Sequence, residues 1–259
     1  MTFADAQRSR SEDRRISPVF WVLLAVLATS AWAVTTGYGN VRFGVFLFVV
    51  SGWVVSLCLH EYAHARTALH GGDISVGAKG YLTLNPLKYT NVLFSFVLPI
   101  VMVILGGIGL PGGAVWIERH RIQGRLKHSL ISAAGPLANV VFAAALLVPI
   151  GMGWIDAYSN PNLAAAMGFL GLLQISAALL NLLPVPGLDG YGIVEPWLSY
   201  KTRRSIEPFA PYGVLAVFAL LWQPQVRAVF YDAVYGVMDL FGVSGAYASV
   251  GYALFRFWD

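Results

Sequence analysis

The chain has 259 residues, 57% of them hydrophobic and only 12% charged, with a formal net charge of +4. A soluble domain carries about 25% charged residues, so these proportions exclude a soluble globular protein and, equally, a disordered one. One cysteine excludes a disulfide framework or a cysteine-based metal cage, and a small charge held in short polar segments gives nucleic acid no footing. What remains is an all-α polytopic membrane protein with about six hydrophobic segments, since a helix crosses hydrocarbon with about 20 mostly apolar residues.

In chain order, residues 1–18 form a basic leader with Arg8, Arg10, Arg14 and Arg15. Val19–Val34 is the first apolar segment. Ala31-Trp32-Ala33 also fits a signal-peptidase site, but the apolar run is long and another follows at once, so a retained span is expected. Phe43–Leu59 is the second, continuing as a helix through His64. In Asp73–Pro86, Ile74, Val76 and Ala78 alternate with polar or small residues, which predicts a short β-hairpin turning at Ala78-Lys79-Gly80. Val92–Leu110, Leu130–Ile150, Leu163–Leu183 and Phe209–Trp222 are further apolar segments, and Gly113–Ile117 is a second short extended piece. The tail Val226–Trp258 is aromatic and broken by Gly236, Gly242 and Gly245, which predicts interfacial helices over residues 223–259. Residues 19–222 then form one membrane domain.

The positive-inside rule sets the direction. The basic leader places the N-terminus in the cytoplasm, and Arg66, Lys79 and Lys88 follow the second span as a cytoplasmic loop should. Arg119, Arg121, Arg125 and Lys127 read as inside, residues 152–162 lack Lys and Arg and read as outside, and Lys201, Arg203 and Arg204 read as inside again. Both flanks of Val92–Leu110 are basic, so this segment is expected to enter and return on the cytoplasmic side.

The sharpest motif is His60-Glu61-Tyr62-Ala63-His64. On a helix, positions four apart share a face, so both imidazoles reach one ion while the adjacent Glu61 is placed to act on a water there. Ionisable groups inside a span are functional candidates by default. Catalytic zinc takes three protein ligands and keeps a position open. His70, His120, His128 and Asp156 suit that role poorly. Asp189 suits it best, in the run Asn181-Leu-Leu-Pro184-Val-Pro186-Gly187-Leu188-Asp189-Gly190, where two prolines end a helix. A solvated aspartate in a helix-ending turn is the alternative. In Ala134-Gly135-Pro136-Leu137-Ala138-Asn139, Asn139 suits a donor to a developing oxyanion, and equally a bond that ties two helices together.

These three motifs, in this order and separation, resemble the site-2 protease family of intramembrane zinc metallopeptidases over roughly residues 43–195. The stretch Gly72–Lys88 is similar to the compact bacterial branch without accessory domains. The resemblance implies one zinc ion held by His60, His64 and Asp189, Glu61 as general base, and supporting roles for Asn139 and Asn181. It also implies peptide hydrolysis in membrane-anchored protein or peptide substrates, in a bacterial cell membrane. The expected hairpin would offer such a substrate an edge to pair with. Where relatives have Leu-Asp-Gly-Gly, this chain has Leu188-Asp189-Gly190-Tyr191.

Three rival readings fit the residues less well. Gly242-Val243-Ser244-Gly245 fits a serine intramembrane protease, but that chemistry takes a histidine from a later span and none follows His128. Cys58 lies two residues before His60 in apolar surroundings that disfavour a thiolate, so it reads as packing. The rival of another class is a metal-ion transporter using the same His and Asp ligands. It would need ligands that release the ion to either side, whereas these cluster near one face beside a base. The pattern carries no signal for a particular oligomeric state.

Overall fold

Capping residues set where the first two apolar helices begin. The architecture comes from a computed structural model that describes residues 15–89 and 115–259. Helix α1 (Pro18–Thr36) starts on a proline, whose missing N–H has no partner in a first turn anyway, and Ser17 accepts a hydrogen bond from Val19 N at 3.2 Å. It stops at Gly37, in the left-handed region at φ +68°, which costs a residue without Cβ little. Asn40 then accepts from Phe43 N and opens α2 (Val41–Gly71), so α1 and α2 form an antiparallel hairpin. At 31 residues, α2 is about 46 Å long, more than the hydrocarbon thickness requires. Helix α4 (Arg125–Gly151) runs back against α2, and α5 (Pro161–Asn181) completes the core. The one-turn helix α3 (Ser75–Ala78) lies in the connection between α2 and α4.

Helix α5 is apolar on every side, which suits a helix enclosed by others. Its most apolar window is 89% buried, and α2, α4 and the last helix all pack on it. Small residues permit this. A Cβ on Gly171 would lie 2.6 Å from Leu147, and one on Gly168 2.7 Å from Tyr247. In lipid, helices associate through such close packing rather than by expelling water. Beyond α5 come α6 (Asp189–Val194), α7 (Tyr200–Ile206), α8 (Gly213–Leu221), α9 (Pro224–Leu240) and α10 (Gly245–Phe255).

Among the described residues, α1, α2, α4 and α5 are each long and apolar enough to cross a membrane. Six spans result if the bent pairs 200–221 and 224–255, kinked by 65° and 112°, each count as one. The described residues are therefore all-helical, with the spans of an integral membrane protein, and four of the expected segments coincide with α1, α2, α4 and α5. The Val92–Leu110 expectation lies outside the described residues.

The expected β-hairpin is corrected. No strand occurs among the described residues, and Asp73–Pro86 is a series of helical turns: α3, then short 3-10 turns at Tyr81–Thr83 and Pro86–Lys88. The cause is local. The Asp73 carboxylate accepts from both the backbone N and the hydroxyl of Ser75, at 2.9 and 2.7 Å, and this side-chain turn starts a helical one. Gly80 and Leu84 then take left-handed conformations that interrupt any extended run. Ile74 is 70% exposed while Val76 is fully buried, although a strand would put both on one face. Val76, Tyr81, Leu82, Leu84 and Tyr89 pack as a cap on α2 with Ile122 and Ile131. The edge expected to receive a substrate strand is therefore absent at Asp73–Pro86.

Two contacts orient the bundle. Ser17 N bonds Thr83 O at 2.8 Å, so α1 begins beside this cap. A Cβ on Gly71, the last residue of α2, would sit 3.2 Å from Ile131 and 3.5 Å from Ile122. The chain therefore leaves α2 and enters α4 at one end of the bundle.

Candidate metal centre

Helical periodicity does for His60 and His64 what the sequence predicts. Both lie on α2, one turn apart, 5% and 6% exposed, with their Nε2 atoms 3.1 Å from each other. Asp189 arrives from the loop after α5. Its Oδ2 is 3.2 Å from His60 Nε2 and its Oδ1 is 3.2 Å from His64 Nε2. Pro184 and Pro186 end the helical path, and the chain re-enters a helix at Asp189, the first residue of α6. Gly190 is required there, because a Cβ would overlap the carbonyls of Leu182 and Leu183.

The hydrogen bonds on the far side of each ring decide whether a cation fits. His64 Nδ1 lies 2.7 Å from the Ile131 carbonyl, which can only accept, so this nitrogen carries the proton. His60 Nδ1 lies 2.6 Å from Asn139 Oδ1, and the Asn139 amide N donates to Gln174 Oε1 at 2.8 Å, so His60 Nδ1 is a donor too. In neutral rings both Nε2 atoms then present lone pairs to the same point as a carboxylate. Three acceptors within 4.8 Å of one another have no proton to share, and two imidazoles with a carboxylate are an ordinary zinc donor set. The residues fit zinc. Gly135 of α4 closes the site from the other side: a Cβ on it would collide with Nε2 of both histidines.

Glu61 is 2% exposed and accepts from Val115 N at 3.0 Å. It shares the wall of a cavity of about 1040 Å³ with His60, His64, Asp189, Asn181 and Val214. The segment Val115–Glu118 forms another wall. Lys79 Nζ donates to Trp116 O at 3.1 Å, and Glu118 N donates to Asp73 Oδ2 at 2.7 Å. Beside it, the Arg121 guanidinium, with help from the Lys79 ammonium, holds the Glu118 carboxyl down at about 2. Arg119 pairs with Glu195 where this cavity adjoins a second of about 870 Å³, lined by Tyr191, Arg203 and Arg204.

Of the expected site residues, the fold brings together His60, Glu61, His64 and Asp189, with Asn181 on the cavity wall. Asn139 sits behind His60, its amide shared between that ring and Gln174. The weaker metal-ligand candidates lie elsewhere. His70 bonds Arg66 O, His128 bonds Ile122 O, and Asp156 accepts from Ser159 and from Tyr158 N. The His120 side chain is 75% exposed on the cavity rim. Cys58 is fully buried, as packing requires. Sequence reasoning missed Gln174 and Val115, and quoted Gly135 within its motif without setting it against the histidines. Gln174 carries the same signal as Asn139, an amide within an apolar span. The other two act through backbone position, which their residue types do not announce.

Comparison with known proteins agrees with this centre. No family model and no solved structure matches the chain. A protein of Mycolicibacterium smegmatis named "Putative zinc metalloprotease Rip2" is 45% identical over 252 residues, covering 95% of each chain. Its namesake in Mycobacterium tuberculosis is 38% identical over 258 residues, 98% of each. "Putative zinc metalloprotease YwhC" of Bacillus subtilis is 30% identical over 183 residues, 68% of this chain and 81% of its own. These relatives lend the ion-transport reading no support. With identity running through almost the whole length and zinc-type ligands converging beside a buried glutamate, the chain belongs to the site-2 protease family of membrane zinc metalloproteases, in its compact bacterial form.

Proposed function

We propose that the chain hydrolyses peptide bonds of membrane-anchored proteins within or next to the bilayer. His60, His64 and Asp189 hold one zinc ion, and Glu61 is the general base. The observation that carries this is the meeting of the two Nε2 atoms and the Asp189 carboxylate on the wall that Glu61 shares with a cavity large enough for an unwound peptide. When bound, zinc supplies Lewis acidity that polarises a carbonyl and lowers the pKa of a water. Glu61 accepts a proton from the attacking water and delivers it to the departing amine. The Val115 N–H fixes one oxygen of Glu61 for that exchange. Asn181, at the cavity wall, donates to the substrate carbonyl, while Asn139 holds the His60 ring. Helical substrates hide their carbonyls in internal hydrogen bonds, so a substrate segment unwinds before it reaches the site.

The site faces the cytoplasm, in this reading, and so does the N-terminus. Arg66, Lys79, Lys88, Arg119, Arg121, Arg125 and Lys127 all flank the metal end of α2 and the start of α4. At the opposite end, residues 152–162 lack Lys and Arg, and Phe43, Phe46, Phe257 and Trp258 cluster, as aromatic residues do at a membrane interface.

The test is Glu61→Gln in purified protein with a single-span substrate. Cleavage is expected to fall by ~10²–10⁴-fold, the contribution of an acid/base group, with zinc content unchanged. Cleavage at the wild-type rate would remove Glu61 as the base. Zinc passage into sealed vesicles without cleavage by the wild type would remove the protease reading altogether.

A further inference from the structure

Helix α5 carries one amide in the middle of an apolar run, Gln174, and its side chain is fully buried. An amide there needs partners, since hydrocarbon offers an unsatisfied polar group no hydrogen bond. It has two. Gln174 Nε2 donates to Ser56 Oγ at 2.9 Å, and Gln174 Oε1 accepts from Asn139 Nδ2 at 2.8 Å. Ser56 in turn donates to the Trp53 carbonyl at 2.8 Å. The chain of bonds starts on α2 at His60, crosses to Asn139 on α4, passes to Gln174 on α5, and returns to α2 at Ser56, one turn before His60.

The direction of every bond follows from the far end. The Trp53 carbonyl can only accept, so the Ser56 proton points at it and Ser56 Oγ is left as an acceptor. That turns the amide N–H of Gln174 toward Ser56 and its oxygen toward Asn139. Asn139 must then donate to Gln174 and offer its oxygen to His60. His60 Nδ1 is thereby obliged to carry a proton, and Nε2, 3.2 Å from Asp189, to carry the lone pair.

We propose that Gln174 is a positioning residue for the metal site, which fixes the tautomer and tilt of His60 through Asn139. The inference rests on the proposed role of His60 as a zinc ligand. The residues beyond a metal ligand set its orientation and basicity, and replacing them commonly weakens metal affinity by about 10–100-fold. His64 has no such relay. Its Nδ1 bonds a backbone carbonyl directly, which needs no side chain to orient it.

The experiment uses the full-length protein in detergent, with zinc affinity measured by chelator competition and the ring tautomer of His60 by nitrogen NMR of the zinc-free protein. Gln174→Met keeps the volume and removes both bonds. It is expected to weaken zinc binding about 10–100-fold and to admit the Nε2–H tautomer at His60. Gln174→Glu restores an acceptor toward Asn139 and, when protonated, a donor toward Ser56, so it is expected to bring both readouts back toward wild type. Because Gln174 acts through Asn139, Gln174→Met added to Asn139→Leu should cost little beyond Asn139→Leu alone. Unchanged affinity and tautomer in Gln174→Met would overturn the proposal, as would loss without recovery in Gln174→Glu. If Gln174→Met does not fold, Ser56→Ala frees the relay from its other end, and an undisturbed His60 tautomer there would overturn it too. His60→Ala separates the two levels. Full zinc affinity in that variant would sink the ligand reading itself, whereas loss in His60→Ala without loss in Gln174→Met would sink only the relay.

Discussion

Helices α1 and α5 are almost equally apolar, with window hydropathies of 1.9 and 2.0, yet 17% of the first window is buried and 89% of the second. Hydropathy reports that a helix belongs in a membrane, not where in the bundle it stands. What separates the two is glycine and the side-chain amide: α1 has neither, although it carries four alanines, a serine and three threonines. Helix α1 turns Trp21, Val22 and Trp32 outward, each more than half exposed. Helix α5 carries Gly168, Gly171, a run of alanines at 164–166, and the polar Gln174, Ser176 and Asn181, all buried. Lipid tails are as apolar as leucine, so large apolar residues face them without penalty, while glycines in close contact and paired amides mark the enclosed helix. His60, Asn139 and Gln174 meet where α2, α4 and α5 share their polar atoms.

Two glycines test this distinction with the largest expected effect. Gly135 and Gly236 both sit inside helices, on α4 and α9. A Cβ on Gly135 would overlap Nε2 of His60 and His64, while one on Gly236 meets nothing within 4 Å. Gly135→Ala is expected to abolish zinc binding and to cost about 1–3 kcal/mol of stability through overpacking. Gly236→Ala should leave zinc content intact and stabilise by up to about 1 kcal/mol, since alanine is the better helix former. Metal analysis and melting curves on both variants decide it. Normal zinc content in Gly135→Ala would mean that α4 does not close the site.

The sequence shows His60, His64 and Asp189 better than it shows what holds them. The i, i+4 spacing of His60 and His64 follows from helical geometry alone, and Asp189 is betrayed by prolines that stop a helix just before it. The strand expected at Asp73–Pro86 fails because a period-two pattern over six residues is outweighed by one side chain, the Asp73 carboxylate, that captures Ser75 and starts a turn. Gln174 is written in the sequence as plainly as Asn139. Its significance depends on Asn139 and Ser56 arriving beside it from helices 35 and 118 residues away, and residue spacing along the chain holds no trace of that. Gly135 is a similar case, because small residues occur throughout the bundle and only contact tells which one touches His60 and His64.

The comparison also predicts an orientation. Helices α2 and α4 meet at the end that carries His64, where Lys127 Nζ reaches Gly71 O at 3.5 Å, so the connection between them begins and ends on one side. Starting from Cys58→Ala, which leaves no cysteine, single cysteines at the exposed positions Lys88 and Gln123 should react with a membrane-impermeant thiol reagent only in inverted vesicles. Both positions labelling in intact cells would reverse the proposed orientation. One labelling from each side would contradict the shared end itself.

The smallest effect expected is at the rim of that same end, where polarity is exposed instead of enclosed. Glu118 ties the cavity wall to Lys79 at 3.2 Å and to Arg121, and its carboxyl is lowered from 4.5 to about 2, chiefly by the Arg121 contact. A carboxyl depressed in the folded state contributes stability that is complete above its unfolded value and is lost as pH falls through its folded one. The contribution should therefore be full above pH 4.5 and fade between about 4.5 and about 2. Exposed pairs contribute little and are screened by salt, so the effect is to be sought at low ionic strength. Between pH 6 and pH 3 the melting temperature of the wild type should fall slightly more than that of Glu118→Gln, and the two curves should converge at the acid end. Parallel curves, or a gap that widens on acidification, would show that Glu118 does not clamp the wall.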